Sequence, residues 1–128
     1  MRGYMDAREL LELVKSGSLM SGTIDTGYRV TRGGQVVRAP AANVWAGIWL
    51  NISHFPGQGL RIALTARAPR VDLPLNQRFY WKGRVLHYDL TEAELDDLEK
   101  AAMAFGKVVG LLLKISDKEV QNEQYNTR

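Results

Sequence analysis

The spacing of apolar residues along this chain changes twice, from helical to alternating and back to helical. Near the amino end an apolar stripe follows Asp6, which is placed to cap a helix, and stops at Gly17. Near the carboxyl end a longer stripe follows Thr91 and Glu94, which have the spacing of a capping box. The pattern predicts a short first helix and a long last helix that ends at about Lys114. Their apolar positions are Ala7, Leu10, Leu11 and Val14, then Leu95, Leu98, Ala102, Phe105, Val109 and Leu112.

The stretch between the two predicted helices is rich in β-branched and aromatic residues and is interrupted by glycine, proline and asparagine. Such segments are typical of β-strands. The pairs Gly33-Gly34 and Lys82-Gly83 stand between strand-like segments at the spacing of two-residue hairpins, and residues 71–76 are expected to form a loop. The predicted strands are Met20–Thr26, Tyr28–Arg32, Gln35–Ala39, Val44–Phe55, Leu60–Ala68, Arg78–Trp81 and Arg84–Tyr88.

These elements predict an α+β fold. It has a short N-terminal helix, an antiparallel β-meander of about five to seven strands, and one long C-terminal helix packed on the sheet. A chain of 128 residues is long enough for one hydrophobic core, so we expect a single domain over residues 1–115. Residues 116–128 are polar without periodicity and are expected to form a flexible tail.

Two-residue turns would fix the register of both hairpins. The first would place Arg29 opposite Arg38, where the like charges either splay into solvent or hold an anion between them. The second would place Arg78 opposite His87 and would put Phe79 and Trp81 on the core side.

The charge of the chain is concentrated in its middle. Residues 27–88 carry nine basic side chains against the single acid Asp72, a net charge of +8, while the whole chain has a formal charge of +3. Eight of the nine are arginines, and the same stretch holds eight of the eleven aromatic residues. Arginine binds phosphate in a bidentate manner, and aromatic rings stack on bases. The pattern therefore indicates an anionic partner.

Strand alternation places some of these residues on a face of the sheet that does not carry the main apolar stripe. In the strand Val44–Phe55 the two tryptophans alternate with the apolar residues Ala46, Ile48 and Leu50. We predict a non-enzymatic domain that binds nucleic acid, single-stranded DNA or RNA, through this basic and aromatic face. The candidate binding residues are Arg29, Arg38, Trp45, Trp49, Arg61, Arg67, Arg78, Tyr80, Lys82 and Arg84.

Three alternatives remain open from the sequence. Arginine and tryptophan equally suit a protein-interaction module that docks on an acidic protein surface. Either predicted helix could cover Trp45 and Trp49. The last turns of the long helix are apolar nearly all round, so either the sheet wraps around them or a second copy forms a homodimer through Gly106, Gly110 and Leu113.

No residue pattern supports catalysis or a cofactor. The chain has no cysteine, and neither His54 nor His87 has the spacing of metal ligands. His54 is expected to be a buried structural histidine. Residues 1–15 lack the apolar stretch of a secretory signal, and no apolar run approaches the roughly 20 residues that cross a bilayer. We therefore expect a cytoplasmic protein without cofactor, metal or membrane association.

Overall fold

The computed structural model describes residues 5–126, with side chains described for residues 5–120. Two α-helices, one 3₁₀ helix and six strands form an α+β fold, as predicted. In chain order they are α1 (Ala7–Lys15), β1 (Ser21–Thr31), β2 (Val36–Arg38), β3 (Val44–Phe55), β4 (Gly59–Arg67), β5 (Phe79–Lys82), β6 (Val85–Asp89), a 3₁₀ helix (Ala93–Asp97) and α2 (Leu98–Asn126).

The six strands form one antiparallel sheet in the order β2-β1-β3-β4-β6-β5. The order differs from a strict meander at two places. At one edge β1 pairs with β3, so β2 lies outside β1. At the other edge β4 pairs with β6, and the chain connects β4 to the edge strand β5. Residues 68–78 make this connection without forming a strand, as predicted for 71–76. Their side chains Val71, Leu73 and Leu75 pack against the core, so the connection closes part of the hydrophobic interior.

The first two predicted strands are a single strand with an irregularity. The pairing of β1 with β3 shifts between Asp25 and Arg29, and Gly27 lies at the shift with φ of +83°. Glycine adopts this left-handed conformation at no steric cost. The bulge brings Asp25 and Arg29 close enough to form an ion pair, although they lie four residues apart on an extended strand.

The predicted register of the first hairpin is wrong by one residue. Its loop has three residues, because the amide of Thr31 donates to the carbonyl of Gln35 and Gly34 has φ of +84°. Arg38 therefore lies opposite Tyr28, and Arg29 lies opposite Val37. Since a one-residue slip reverses the faces of a strand, Arg29 and Arg38 are not cross-strand neighbours and their side chains lie on opposite faces.

The second hairpin turns at Gly83-Arg84 instead of Lys82-Gly83. Tyr80 lies opposite His87, so Arg78 does not face that histidine. The register differs by two residues from the predicted one, and a shift of two leaves every side chain on the same face. The predicted core side, with Phe79 and Trp81, is therefore retained.

Both helices pack on one face of the sheet and form a single core with it. Helix α1 begins at the cap Asp6, which accepts a hydrogen bond from the amide of Glu9 at 2.8 Å. The capping box between Thr91 and Glu94 is formed, with Thr91 N donating to Glu94 Oε1 at 2.9 Å, and it opens the 3₁₀ helix that leads into α2. The fully buried core residues include Leu11, Ile48, Leu50, Ile52, Leu64, Leu86, Phe105, Val109 and Leu112.

The small residues of α2 contact the sheet of their own chain. A Cβ atom at Gly110 would lie 2.1 Å from the carbonyl oxygen of Gly34, and one at Gly106 would lie 2.8 Å from the side chain of Val36. Leu113 is 4% exposed. Gly106 and Gly110 therefore lie under the first hairpin and Leu113 lies in the core, so these residues are not available as the homodimer surface that the sequence suggested.

Two further expectations differ from the structure. Helix α2 continues to Asn126, beyond the predicted end near Lys114. His54 is exposed instead of buried, because it lies near the end of β3, past the edge of the core. No helix among the described residues is long and apolar enough to cross a membrane.

Candidate anion-binding surface

The sheet face away from both helices, which we call the open face, carries most of the polar candidates. Neighbouring strands align side chains in rows across it, and one row runs from Asp25 through Trp49 and Thr65 to His87 and Tyr80. The open face comprises Thr23, Asp25, Arg29, Trp49, Asn51, Ser53, Arg61, Thr65, Arg67, Tyr80, Lys82 and His87.

Trp49 is the exposed aromatic residue in the middle of the open face, with 40% of its surface accessible. Its Nε1 atom lies 3.1 Å from the position that a Cβ would take at Gly47, and Arg29 Nη1 lies 3.5 Å from the same position. The missing side chain at Gly47 thus lets the indole and a guanidinium group approach the strand side by side. No described helix covers Trp49, which answers the question that the sequence left open.

Trp45 lies closer to one end of the sheet and is half-buried. Its Nε1 donates to the carbonyl oxygen of Arg67 at 3.2 Å, and the guanidinium carbon of Arg67 lies 4.4 Å from the centre of a Trp45 ring. Cation–π contacts of this kind hold an arginine in place without cancelling its charge. Arginine, and not a helix, covers this tryptophan.

Three candidate arginines are occupied by carboxylates, and we call Arg29, Arg38 and Arg78 the paired arginines. Arg29 donates to both oxygens of Asp25, at 2.8 and 2.7 Å. These hydrogen bonds lower the pKa of Asp25 and raise that of Arg29. The pair therefore stays charged and mutually neutralised across the usual pH range.

Arg38 and Arg78 face the helical side of the molecule. Arg38 donates to Glu99 of α2 at 2.9 Å, so it lies away from the open face. Arg78 forms an ion pair with Glu94 and donates to the carbonyl oxygen of Asp89 at 2.9 and 2.7 Å. Burial opposes ionisation of Glu94, but hydrogen bonds from Thr91 and Arg78 outweigh it and lower the pKa of Glu94.

Five basic residues of the segment 27–88 have no carboxylate within 4.0 Å among the described residues. All five lie at one end of the sheet, where β1, β4 and β5 end and β6 begins. We call this region the cationic end. It consists of Arg32, Arg67, Arg70, Lys82 and Arg84, all of them exposed.

Three of these arginines line one cavity of about 320 Å³, which we call the arginine cleft. Its lining is Trp45, Arg67, Ala68, Pro69, Arg70 and Arg84, with no acidic side chain. Arg70 is held by stacking on Trp81, with its guanidinium carbon 5.3 Å from the ring centre, and by a hydrogen bond from Nε to the carbonyl oxygen of Gly83 at 3.1 Å. The cleft therefore gathers cations whose remaining N–H groups can bind an anion.

A second cavity, of about 220 Å³, lies on the open face and involves Arg61, Tyr80, Lys82 and His87. The ring of Tyr80 stacks on His87 at 4.9 Å, and the guanidinium carbon of Arg61 lies 5.0 Å from the ring centre of Tyr80. Burial raises the pKa of Tyr80, and burial together with the charges of Lys82 and Arg61 lowers the pKa of His87. His87 is therefore uncharged near neutral pH.

Arg61 is intermediate between the paired and the unpaired arginines in how far a carboxylate compensates its charge. Its Nε lies 3.9 Å from Asp89 Oδ1, at the limit of an ion pair, and its side chain is 54% exposed. Asp89 Oδ1 and the hydroxyl of Tyr80 are buried without a hydrogen-bond partner among the described residues. Arg61 thus retains part of its capacity to bind a further anion, at the end of the sheet opposite the cationic end.

The structure groups the predicted binding residues differently from the sequence. Trp45, Arg67 and Arg84 line the arginine cleft at the cationic end. Lys82 ends β5 at the same end of the sheet, but its side chain lines the second cavity with Arg61 and Tyr80, and Trp49 lies in the middle of the open face. Sequence reasoning omitted Arg70 and Arg32. The signal for Arg70 was its place immediately after Pro69, three residues beyond Arg67 at the end of a predicted strand.

Other features of the structure and the comparisons with known proteins add no candidate site. A further cavity, of about 700 Å³, lies along β1, and Met5, Leu10, Leu19 and Ile24 supply its large apolar side chains. Among the described side chains, those of residues 5–120, no group of three or more histidines, aspartates or glutamates could hold a metal ion. The chain matches no protein-family model, no curated protein and no solved structure.

Proposed function

We propose that this protein binds a single-stranded nucleic acid, with phosphates at the cationic end and bases on the open face. The observation that carries the proposal is the collection of five basic side chains at one end of the sheet that have no carboxylate partner among the described residues. Uncompensated charge of one sign attracts and orients a polyanion. The paired arginines contribute little to this attraction because their carboxylates cancel them.

The open face favours binding of a single strand over binding of a duplex. Both helices pack on the opposite face of the sheet, so neither lies on the open face in the way that a helix would for the major groove. The open face offers Trp49 beside Arg29 instead. Stacking of one base on such a ring contributes about 1–3 kcal/mol and needs no base sequence.

The test is fluorescence anisotropy of a labelled single-stranded 30-mer, measured at several salt concentrations with duplex DNA as a competitor. We expect sub-micromolar affinity at low salt and preference for the single strand. The logarithm of the affinity should fall with the logarithm of salt by about 0.7 per phosphate contacted. Absence of binding at low salt would contradict the proposal and would direct the search to an acidic protein surface.

A pair of charge-reversal substitutions tests whether the cationic end is the binding site. Arg67→Glu with Arg84→Glu should abolish binding at physiological salt, because both residues belong to the cationic end. The matched control is Lys100→Glu with Lys107→Glu, two exposed lysines of α2 that lie on the helical side. It changes the net charge equally, so a comparable loss in the control would show that total charge, and not the cationic end, determines affinity.

A further inference from the structure

The arginine cleft holds more positive charge than an internal phosphodiester requires. Three guanidinium groups line a cavity of about 320 Å³ without any acidic side chain, whereas a phosphodiester carries one negative charge. A terminal phosphate, being a monoester, carries a charge of about −1.5 to −2 at neutral pH and offers three acceptor oxygens. The charge of the cleft therefore fits a phosphate at the end of a strand better than one in its middle.

Two of the arginines are oriented before any ligand arrives. Stacking on Trp45 fixes the guanidinium of Arg67, and stacking on Trp81 together with the Nε hydrogen bond to Gly83 fixes that of Arg70. The contacts with Trp81 and Gly83 leave the terminal nitrogens of Arg70 without a hydrogen-bond partner among the described residues. Because the planar guanidinium binds phosphate oxygens in pairs, two oriented groups around one cavity favour a phosphate with several free oxygens.

The backbone of the cleft also positions the third arginine. The amide of Ala68 donates to the carbonyl oxygen of Arg84 at 3.0 Å, which ties the turn at Gly83-Arg84 to the end of β4. Arg84 is exposed and has no ion pair among the described residues. The cavity volume lies near the lower limit of small-molecule sites, which is about 300 Å³, so it suits a phosphate group with its adjoining sugar.

We propose that the arginine cleft binds the terminal phosphomonoester of a nucleic-acid strand whose bases then follow the open face. This inference rests on the proposed function, but it makes a separate claim about the end of the strand. A phosphate at the 5′ end and one at the 3′ end share the same chemistry. The experiment must therefore distinguish these two sources from each other and from an unphosphorylated strand.

The experiment compares three versions of one single-stranded 12-mer by anisotropy, with a 5′-phosphate, with a 3′-phosphate, or with hydroxyl groups at both ends. We expect one phosphorylated version to bind about tenfold more tightly than the hydroxyl version, since charge-assisted hydrogen bonds contribute about that much. Inorganic phosphate at millimolar concentration should remove this advantage. The version that shows it identifies which end occupies the cleft.

Two cleft variants and one control give the location. Arg70→Gln and Arg84→Gln should each abolish the preference for the phosphorylated end while the protein keeps its thermal unfolding midpoint. Arg32→Gln is the matched control, because Arg32 belongs to the cationic end but does not line the cleft. It should weaken all three oligonucleotides equally and leave the preference unchanged.

Each contrary result has a distinct meaning. Equal affinity of the wild type for all three oligonucleotides would overturn the terminal-phosphate inference and leave the proposed function standing. A preference that persists in Arg70→Gln and Arg84→Gln would overturn the cleft as its location. Failure of the wild type to bind any of the three at low salt would overturn the proposed function, and the inference with it.

Discussion

Arginines stack on aromatic rings at both ends of the sheet, but the two ends differ in whether these arginines also meet carboxylates. At one end Arg78 and Arg61 approach the carboxylates of Glu94 and Asp89, and Arg78 also holds backbone oxygens. At the cationic end Arg67 and Arg70 lie against tryptophan rings and have no carboxylate within reach among the described residues. An ion pair cancels the charge of an arginine, whereas an aromatic ring orients it and leaves the charge available.

Charge counted along a sequence therefore overestimates what a partner meets. The segment 27–88 has a net charge of +8, but four of its arginines face acidic residues that lie outside that segment, at Asp25, Asp89, Glu94 and Glu99. The acidic flanks fold back onto the basic segment. The charge that remains uncompensated is smaller, and it is concentrated in one place.

The largest expected effect is on binding by the arginine cleft. Arg67→Gln, Arg70→Gln and Arg84→Gln together should lower affinity for a single-stranded 30-mer about a hundredfold. They should also reduce the slope of log affinity against log salt, by about 0.7 for each phosphate contact that is lost. Anisotropy titrations over a range of salt concentrations measure both quantities.

The control for this variant is Arg29→Gln with Arg38→Gln, which removes two paired arginines. We expect its affinity to change by less than about threefold, because their carboxylates already compensate them. A loss as large as that of the cleft variant would show that the paired arginines bind the strand. The distinction between the two ends of the sheet would then have no functional meaning.

The next effect concerns stability, where we expect the larger loss from a paired arginine and the smaller loss from an arginine of the cleft. Arg78→Ala should lower the free energy of unfolding by about 1–3 kcal/mol, because it removes hydrogen bonds to Asp89 and Glu94. Arg84→Ala removes an exposed side chain and should change it by no more than about 0.5 kcal/mol. Urea unfolding followed by circular dichroism compares the two. Similar losses would contradict a structural role specific to the paired arginines.

A smaller effect should appear when a paired arginine on the open face is released. In the wild type the amide of Gly27 donates to Asp25 Oδ1 at 2.8 Å, and Asp25→Asn keeps a side-chain oxygen that can accept this hydrogen bond. The substitution removes the carboxylate that pairs with Arg29, so the charge of Arg29 beside Trp49 becomes available. We expect affinity for the single strand to rise two- to threefold at low salt. Glu99→Gln releases Arg38 on the helical side with the same change of net charge and should give no gain.

Equal gains from Asp25→Asn and Glu99→Gln would mean that total charge alone controls affinity. Asp25→Asn should also make the free energy of unfolding less dependent on pH in the acid range. Because the pKa of Asp25 is lowered in the folded protein, the stability it provides is complete above the unfolded pKa near 4 and is lost as pH falls below it.

Some of this organisation could be predicted from the sequence. The α+β fold follows from two changes of apolar spacing, and the faces of β3 follow from strict alternation around Ile48, Leu50 and Ile52. The capping box at Thr91 formed because its signal is entirely local. These features depend on residues close together in the chain.

The rest depended on contacts that no local pattern contains. One additional loop residue near Gly34 shifted the first hairpin and moved Arg38 to the helical side. The partner of Arg38, Glu99, is 61 residues away in the chain. The bulge at Gly27 paired Arg29 with Asp25, and only the final packing shows which arginines remain free.

The smallest expected effect concerns His87. Its protonation would add a positive charge to the open face, so its titration measures how well that face tolerates one. In the folded protein the pKa of His87 is lowered by burial above all, and further by Lys82 and Arg61. The hydrogen bond with the carbonyl oxygen of Val85 and the charge of Asp89 oppose this shift, and Tyr80 stacks on the ring. The unfolded chain therefore binds more protons below about pH 6.5. Stability from neutral His87 is present above that pH and is lost as pH falls through the window below it.

His87→Asn should consequently make the free energy of unfolding less dependent on pH between about 6.5 and 5. Urea unfolding at a series of pH values measures the slope, and His54→Asn is the control because His54 is exposed near the end of β3. The paired carboxylates do not confuse this window, since the pKa values of Asp25 and Glu94 are lowered from their ordinary values near 4. An unchanged slope in His87→Asn would show that neither burial nor the nearby cations resist protonation of His87 in the folded protein. The open face would then tolerate more positive charge than its unpaired basic residues suggest.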